Sequence, residues 1–197
     1  LYVVSQFVLG KIPTFTVAMF RYLIAFIALS LISLKTEKEK IEKSDYKYFF
    51  IMGFIGYFIS VDCQLLGTKI AGGSMASLIN SLNPVIISVM AMIILNEKLE
   101  MNKIVGIVLS LAGVYMIIGT GANIQFLGVL ISFIAVIGWA FMSVISRKIS
   151  NKYSALTLTK VSMLIATICN IPVSFLEVQV THPLIQVDLG AVLGLIY

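Results

Sequence analysis

The sequence predicts an all-α, polytopic membrane protein, and three observations carry that prediction. The first is composition: of 197 residues, 59% are apolar and 12% are charged, about half the charged share of an ordinary soluble domain. The second is run length. Apolar stretches continue for about 16–25 residues, and crossing about 30 Å of hydrocarbon takes about 20 helical residues at 1.5 Å each. The third is charge placement, because the basic residues gather in alternate connections between those stretches. Several classes fall away at once. A soluble domain could not hide so much apolar surface when over half of its exterior is already apolar atoms. Disordered chains have the opposite composition. Fourteen glycines and four prolines are far from a collagen-like chain. Transmembrane barrel strands alternate over about 10 residues, whereas these runs are continuous and rich in Leu, Ile, Ala and Met.

The elements follow in order. Leu1 to about Leu9 reads as the tail of a first span, closed by the turn signal Gly10-Lys11-Ile12-Pro13. A second span covers about Thr14–Leu34, a third about Tyr48–Gly67 and a fourth about Ala71–Leu95. A shorter fifth covers about Ile104–Gly119, a sixth about Ile124–Ser146 and a seventh about Ala155–Leu176. An eighth begins near Leu189. Because the chain opens inside an apolar run and closes inside another, it is expected to be a fragment with six whole spans and two partial ones.

Lysine and arginine then set the orientation. The connection 35–47 holds five lysines, 96–103 holds Lys98 and Lys103, and 147–154 holds Arg147, Lys148 and Lys152. The opposite connections hold Lys11 and Lys69, a bias of ten against two. Positive loops stay cytoplasmic, so 35–47, 96–103 and 147–154 are expected on the cytoplasmic side of a cell (plasma or inner) membrane. The net charge of +5 therefore reports topology rather than nucleic-acid binding. The mixed charges of 35–47 read as a solvated loop. Cys63 and Cys169 lie inside apolar runs and read as free thiols without metal-ligand spacing.

A faint internal likeness relates Ser5–Ala25 to Ser143–Ala166, with Phe20-Arg21 near Thr159-Lys160. On this topology the two segments point opposite ways, as in transporters built from inverted repeats.

The stretch Gly67–Gly119 carries sharper motifs: the small-residue start Ala71-Gly-Gly-Ser-Met-Ala-Ser77, the mid-span Pro84, the turn Leu95-Asn-Glu-Lys-Leu99, and Gly106 with Gly113. Gly138-Trp139-Ala140 and Arg147-Lys148 mark a second start. In this order and spacing the chain resembles the EamA family of the drug/metabolite transporter (DMT) superfamily over nearly its whole length. The resemblance implies a ten-helix bundle of two inverted five-helix repeats, truncated here, with both termini cytoplasmic and a substrate cavity near the midplane. It divides the chain at Gly119-Thr-Gly121 into 1–119, a first repeat with its first helix incomplete, and 124–197, a second repeat cut in its third helix.

Polar groups inside the spans are the candidate functional residues, since a charge at a helix centre costs about 2.5–3.5 kcal/mol on the insertion scale. Arg21 and Asp62 lie at matching depth on adjacent spans, so they either form an ion pair near the external mouth or snorkel separately. Lys160, one turn from the cytoplasmic end, reads as snorkelling. On a 3.6-residue count Gly53, Tyr57, Ser60 and Gln64 share one face, as do Gly73, Ser77, Asn80, Pro84 and Ser88, with Asn83 about 60° off. Pro84 strips the Asn80 carbonyl of its helical partner and predicts a kink. The sixth span aligns Ser132, Trp139 and Ser143. Trp139, Tyr57 and Asn80 suit a substrate wall, while small and polar residues equally serve helix packing. Glu97, at the end of the fourth span, is either a cap or a gating carboxylate.

No GxSxG, HExxH, paired-aspartate or Walker motif occurs, and the single histidine, His182, sits beside Pro183 in a connection. The reading is therefore a non-enzymatic secondary transporter without a cofactor or metal. It exports or exchanges a small molecule across the lipid bilayer, with substrate-binding residues Tyr57, Ser60, Gln64, Asn80, Asn83, Trp139 and Ser143. Homo-oligomerisation stays open. The alternatives are a non-transporting scaffold or sensor subunit, and a membrane-embedded enzyme.

Overall fold

A computed structural model describes residues 8–10, 12–36, 39–96, 101, 104–106, 108–109, 112 and 125–181. The fifth span and the first and last partial spans fall mostly outside these residues, as does Glu97. Among the described residues the architecture is helical throughout, without strands, and five helices are long and apolar enough to cross a membrane.

Helix α1 runs Thr14–Ser33, starting directly after Pro13. A proline is well placed there, because the first amides of a helix have no intrahelical acceptor. Helix α2 spans Lys43–Ala71. It opens with a 3₁₀ turn, Lys43–Asp45, widens to a π-helix over Met52–Ile59 and returns to α geometry over Ser60–Ala71. Helix α3 spans Gly73–Leu95 in two pieces, Gly73–Asn80 and Asn83–Leu95. Helix α4 covers Phe126–Ile149 and α5 covers Ala155–Thr181, with Pro172 inside it.

The α2–α3 reversal takes a single residue. Gly72 adopts φ 83° and ψ 157°, a region essentially closed to residues with a Cβ. It ends α2 by donating its amide to the Thr68 carbonyl at 3.0 Å and starts α3 by accepting from Ala76 at 3.1 Å.

Helix α2 is central, with α1, α4 and α5 packed against it, while α3 returns along α4. The α2–α4 seam is close because small residues line it. A Cβ on Gly138 would stand 3.1 Å from the Ser60 Cβ, so a larger side chain would push the helices apart. Such seams drive association where lipid offers no hydrophobic gain. One buried cluster joins Val17, Ala18 and Tyr22 of α1 to Leu65 and Ala166. A second joins Phe49 and Met52 to Met142, Ile145, Ile149, Tyr153 and Leu158. The outward faces carry Ile24, Ile27, Leu31, Ile134, Ile168 and Phe175, all exposed, as lipid-facing positions must be.

Two of the lysine-marked loops meet at one end of the bundle. The Glu42 amide donates to the Tyr153 hydroxyl at 3.1 Å. That hydroxyl donates to Asp45 Oδ2 at 2.9 Å, and Lys152 Nζ donates to the same oxygen at 3.1 Å. Glu39 accepts the Ser154 amide at 3.0 and 3.1 Å, at the start of α5. The 35–47 segment, expected as a plain solvated loop, is thus fastened to 147–154. Acceptance of the Ser154 amide holds the Glu39 carboxyl below its ordinary value of 4.5. The Asp45 contact holds Lys152 above its ordinary 10.5.

Candidate functional site

The candidate site is built around the π-helical stretch of α2. A π turn takes i→i+5 hydrogen bonds and holds more residues than an α turn, and such turns gather at functional sites. Here it presents Tyr57 to two rings. Tyr22 of α1 lies edge-on at 6.1 Å and Trp139 of α4 edge-on at 6.0 Å, so one aromatic row links three helices. The Tyr22 hydroxyl donates to the Tyr57 carbonyl at 2.7 Å. In the widened helix this satisfies a carbonyl and fixes α1 against α2.

The other expected residues fall around this row or apart from it. Ser60 is 2% exposed and donates to the Ala135 carbonyl at 2.6 Å, binding α2 to α4. Gln64 is half-buried one turn further on, and its carbonyl accepts from Thr68 Oγ1 at 2.7 Å. Trp139 and Ser143 are both half-buried, with the Ser143 hydroxyl donating to the Trp139 carbonyl at 2.8 Å. Asn80 and Asn83 meet each other, Asn83 Nδ2 donating to Asn80 Oδ1 at 2.6 Å. Asn83 Oδ1 is buried without a hydrogen bond. They flank the break in α3 at Ser81–Leu82, just before Pro84. The contacts join Tyr57, Ser60 and Trp139 through the α2–α4 seam, while the two asparagines form a separate pair on α3.

Arg21 and Asp62 are not joined by an ion pair. Arg21 is half-buried. Asp62 is 4% exposed, and neither of its carboxylate oxygens makes a hydrogen bond. Of the two expected arrangements, an ion pair and separate snorkelling, the pair is not formed, and Asp62 is buried with Tyr22 of α1 on one side and α5 on the other. Its polar neighbour is Asn170 of α5, which is fully buried and also without a hydrogen bond at either side-chain atom.

Sequence reasoning missed that face of α5. Asn170, Ser174 and Glu177 stand at i, i+4 and i+7, which is one helical face. Ser174 and Thr16 share a hydrogen bond at 2.9 Å. The Glu177 carboxylate accepts the amides of Thr14, Phe15 and Thr16 at 2.8, 2.9 and 3.3 Å. It therefore caps α1 from the far end of the chain, where a negative charge meets the positive end of the helix dipole. The spacing was visible in the sequence, but a seventh span ending at Leu176 left Glu177 outside it.

Near the fastened loops, a cleft of about 270 Å³ lies between α1 and α5, lined by Ser33, Thr36, Glu39, Thr157 and Lys160. Lys160 does not reach out freely; its Nζ donates to Ser33 Oγ at 3.0 Å. Among the described residues no cluster of three His, Cys, Asp or Glu side chains could hold a metal ion.

Comparison with known proteins fits this architecture. The transporter YetK of Bacillus subtilis, described as uncharacterized, is 27% identical over 183 residues, which is 89% of this chain and 56% of that protein. The likewise uncharacterized transporter YyaM of the same organism is 26% identical over 179 residues, or 86% of this chain and 58% of that protein. An uncharacterized transporter of Archaeoglobus fulgidus is 24% identical over 66% of this chain and 47% of its own length. The chain thus spans about half the length of these relatives. A solved crystal structure superposes on all of this chain and 73% of its own, with a TM-score of 0.70 at 16% identity, a likeness of fold. The pattern of the EamA-like transporter family matches residues 1–119, so this multi-pass helical chain belongs to the EamA-like transporter family.

Proposed function

We propose that the protein is a secondary transporter that moves a small metabolite across a cell membrane, by export or exchange, without catalysing a reaction. The observation that carries this reading is the half-buried ring pair between Tyr57, on the π-helical stretch of α2, and Trp139 of α4, in a chain of this family. Two rings held edge-on offer a flat wall to an aromatic or cationic group. Gln64 and Ser143 add polar contacts beside it, and Ser60 supports it from the α2–α4 seam. Asn80 and Asn83 supply a second polar face, where the interrupted α3 frees backbone and amide groups that only a protein- or water-lined surface tolerates.

Residues 1–119 and 124–197 would form two inverted halves, and alternating access would rock one against the other. The lysine-marked end carrying 35–47 and 147–154 would face the cytoplasm. Substrate class follows from the site rather than from the fold, and the site favours a flat or cationic solute.

Trp139 is the single tryptophan, so its fluorescence reports directly on this wall. In proteoliposomes, a solute that is carried should also quench Trp139, and Tyr57→Ala should weaken both effects together. A metabolite mixture of which nothing crosses faster than in protein-free vesicles would sink the transporter reading.

A further inference from the structure

We propose that Asp62 and Asn170 form a proton-binding site inside the membrane. Three features of the geometry together point to it. Asp62 is 4% exposed and Asn170 is fully buried. All four of their side-chain polar atoms lack a hydrogen bond. The two side chains face each other across the α2–α5 contact. A charged carboxylate without a partner is not sustained in such surroundings, and native proteins leave few buried polar groups unpaired. A bound proton resolves both deficits. It neutralises Asp62 and gives it an O–H that can donate to Asn170 Oδ1 once the side chains close up.

The groups around the pair fit a proton better than a metal cation. Two carboxylate oxygens and one amide oxygen are too few for a hard cation, which takes six or more oxygens. The charged and titratable neighbours are Tyr22 from α1, Glu177 from α5, and Cys63 on α2 itself. Arg21 lies near the same Tyr22 without an ion pair to Asp62. The Tyr22 hydroxyl is committed to the Tyr57 carbonyl, and Glu177 is held by three amides of α1.

The chemistry is minimal. Uptake forms one O–H bond on an Asp62 oxygen with a proton from water, and release breaks it and leaves the carboxylate. The Thr16–Ser174 hydroxyl pair and Glu177 continue the same polar face toward the membrane surface, about 10 Å along α5. As a site of coupling to solute movement, Asp62 rests on the transporter reading; as a proton site it does not.

Infrared spectroscopy of the protein in lipid vesicles at neutral pH tests the site without any solute. The expected result is a protonated-carboxyl C=O band that disappears in Asp62→Asn, shifts in frequency in Asn170→Leu and is still present in Glu177→Gln, which separates it from the other acidic side chain of that face. Asp62→Asn is isosteric and breaks no ion pair, and Asn170→Leu gives a second readout if the first variant folds poorly. A band that survives in Asp62→Asn, a native protein lacking the band, or sodium chloride removing it at constant pH would each overturn the proposal. If the band behaves as expected while no solute is carried, the proton site stands and the transporter reading fails.

Discussion

At the scale of single residues, the interior polar groups divide by what their hydrogen bonds are spent on. Ser60 spends its hydroxyl on the Ala135 carbonyl and Tyr22 spends its own on the Tyr57 carbonyl, so both act as fasteners between helices. Tyr22→Phe and Ser60→Ala should each lower stability by about 1 kcal/mol, read as earlier thermal unfolding in detergent. Neither change should remove quenching of Trp139 by a carried solute. Trp139→Phe, by contrast, keeps most of the packing but alters an edge-on ring pair worth about 0.5–1.5 kcal/mol beyond its burial, and should weaken transport more than stability, measured by flux alongside unfolding. Sequence spacing had already selected Tyr57, Ser60 and Trp139, because polar or aromatic residues at helical intervals stand out against an apolar background. It could not separate wall from fastener, since a hydroxyl aimed at a neighbouring carbonyl leaves no trace in the sequence. Nor could a 3.6-residue count anticipate the π-helical turns of Met52–Ile59, which rotate every later side chain of α2 relative to that count. The Arg21–Asp62 pairing failed for a related reason: matching depth does not fix which way two helices face.

At the scale of elements, the helix ends show where hydropathy succeeds and where it stops. The expected Thr14–Leu34 and Ala71–Leu95 spans lie within two residues of α1 and α3. Helix α2 reaches Lys43–Ala71 instead of Tyr48–Gly67, because a helix continues into polar turns that a run of apolar residues cannot mark. Helix α5 continues past Glu177 to Thr181, and within that extension Glu177 meets three amides of α1. Glu177→Gln keeps the shape but loses the charge facing the dipole, and should cost about 0.5–2 kcal/mol. The loss should appear as faster amide exchange in the first turn of α1. The Gly72 reversal is similarly exposed to substitution. Gly72→Ala meets no steric neighbour but forces a Cβ into a glycine-only conformation, a strain of about 1–3 kcal/mol. It should lower the unfolding temperature without filling any cavity.

At the scale of the whole molecule, the lysine bias pointed to 35–47 and 147–154 sharing one side, and the structure brings those loops into contact through Asp45, Lys152, Tyr153 and Glu39. That contact has a pH dependence of definite sign. The Glu39 carboxyl lies below its ordinary 4.5 when folded, so its contribution is complete above 4.5 and is lost as pH falls through the folded value. Lys152 lies above its ordinary 10.5, so its contribution is complete below 10.5 and is lost as pH rises through the folded value. Limited proteolysis within 35–47 should therefore be slowest between those limits and should accelerate first on the acid side. Glu39→Gln should shrink the acid limb to the share carried by Asp45, whose carboxyl is likewise held below its ordinary 3.8 by Tyr153 and Lys152, and should leave the alkaline limb in place.

The cap on α1 also sets an order of events during synthesis. The amides of Thr14–Thr16 wait for a carboxylate that is about 160 positions later in the chain. At about 5–20 residues per second, a ribosome needs on the order of ten to thirty seconds to supply it. Throughout that interval the start of α1 must keep its amides in water or against the insertion machinery. Among the described helices α1 is thus made before the segment that seals it, α5, exists.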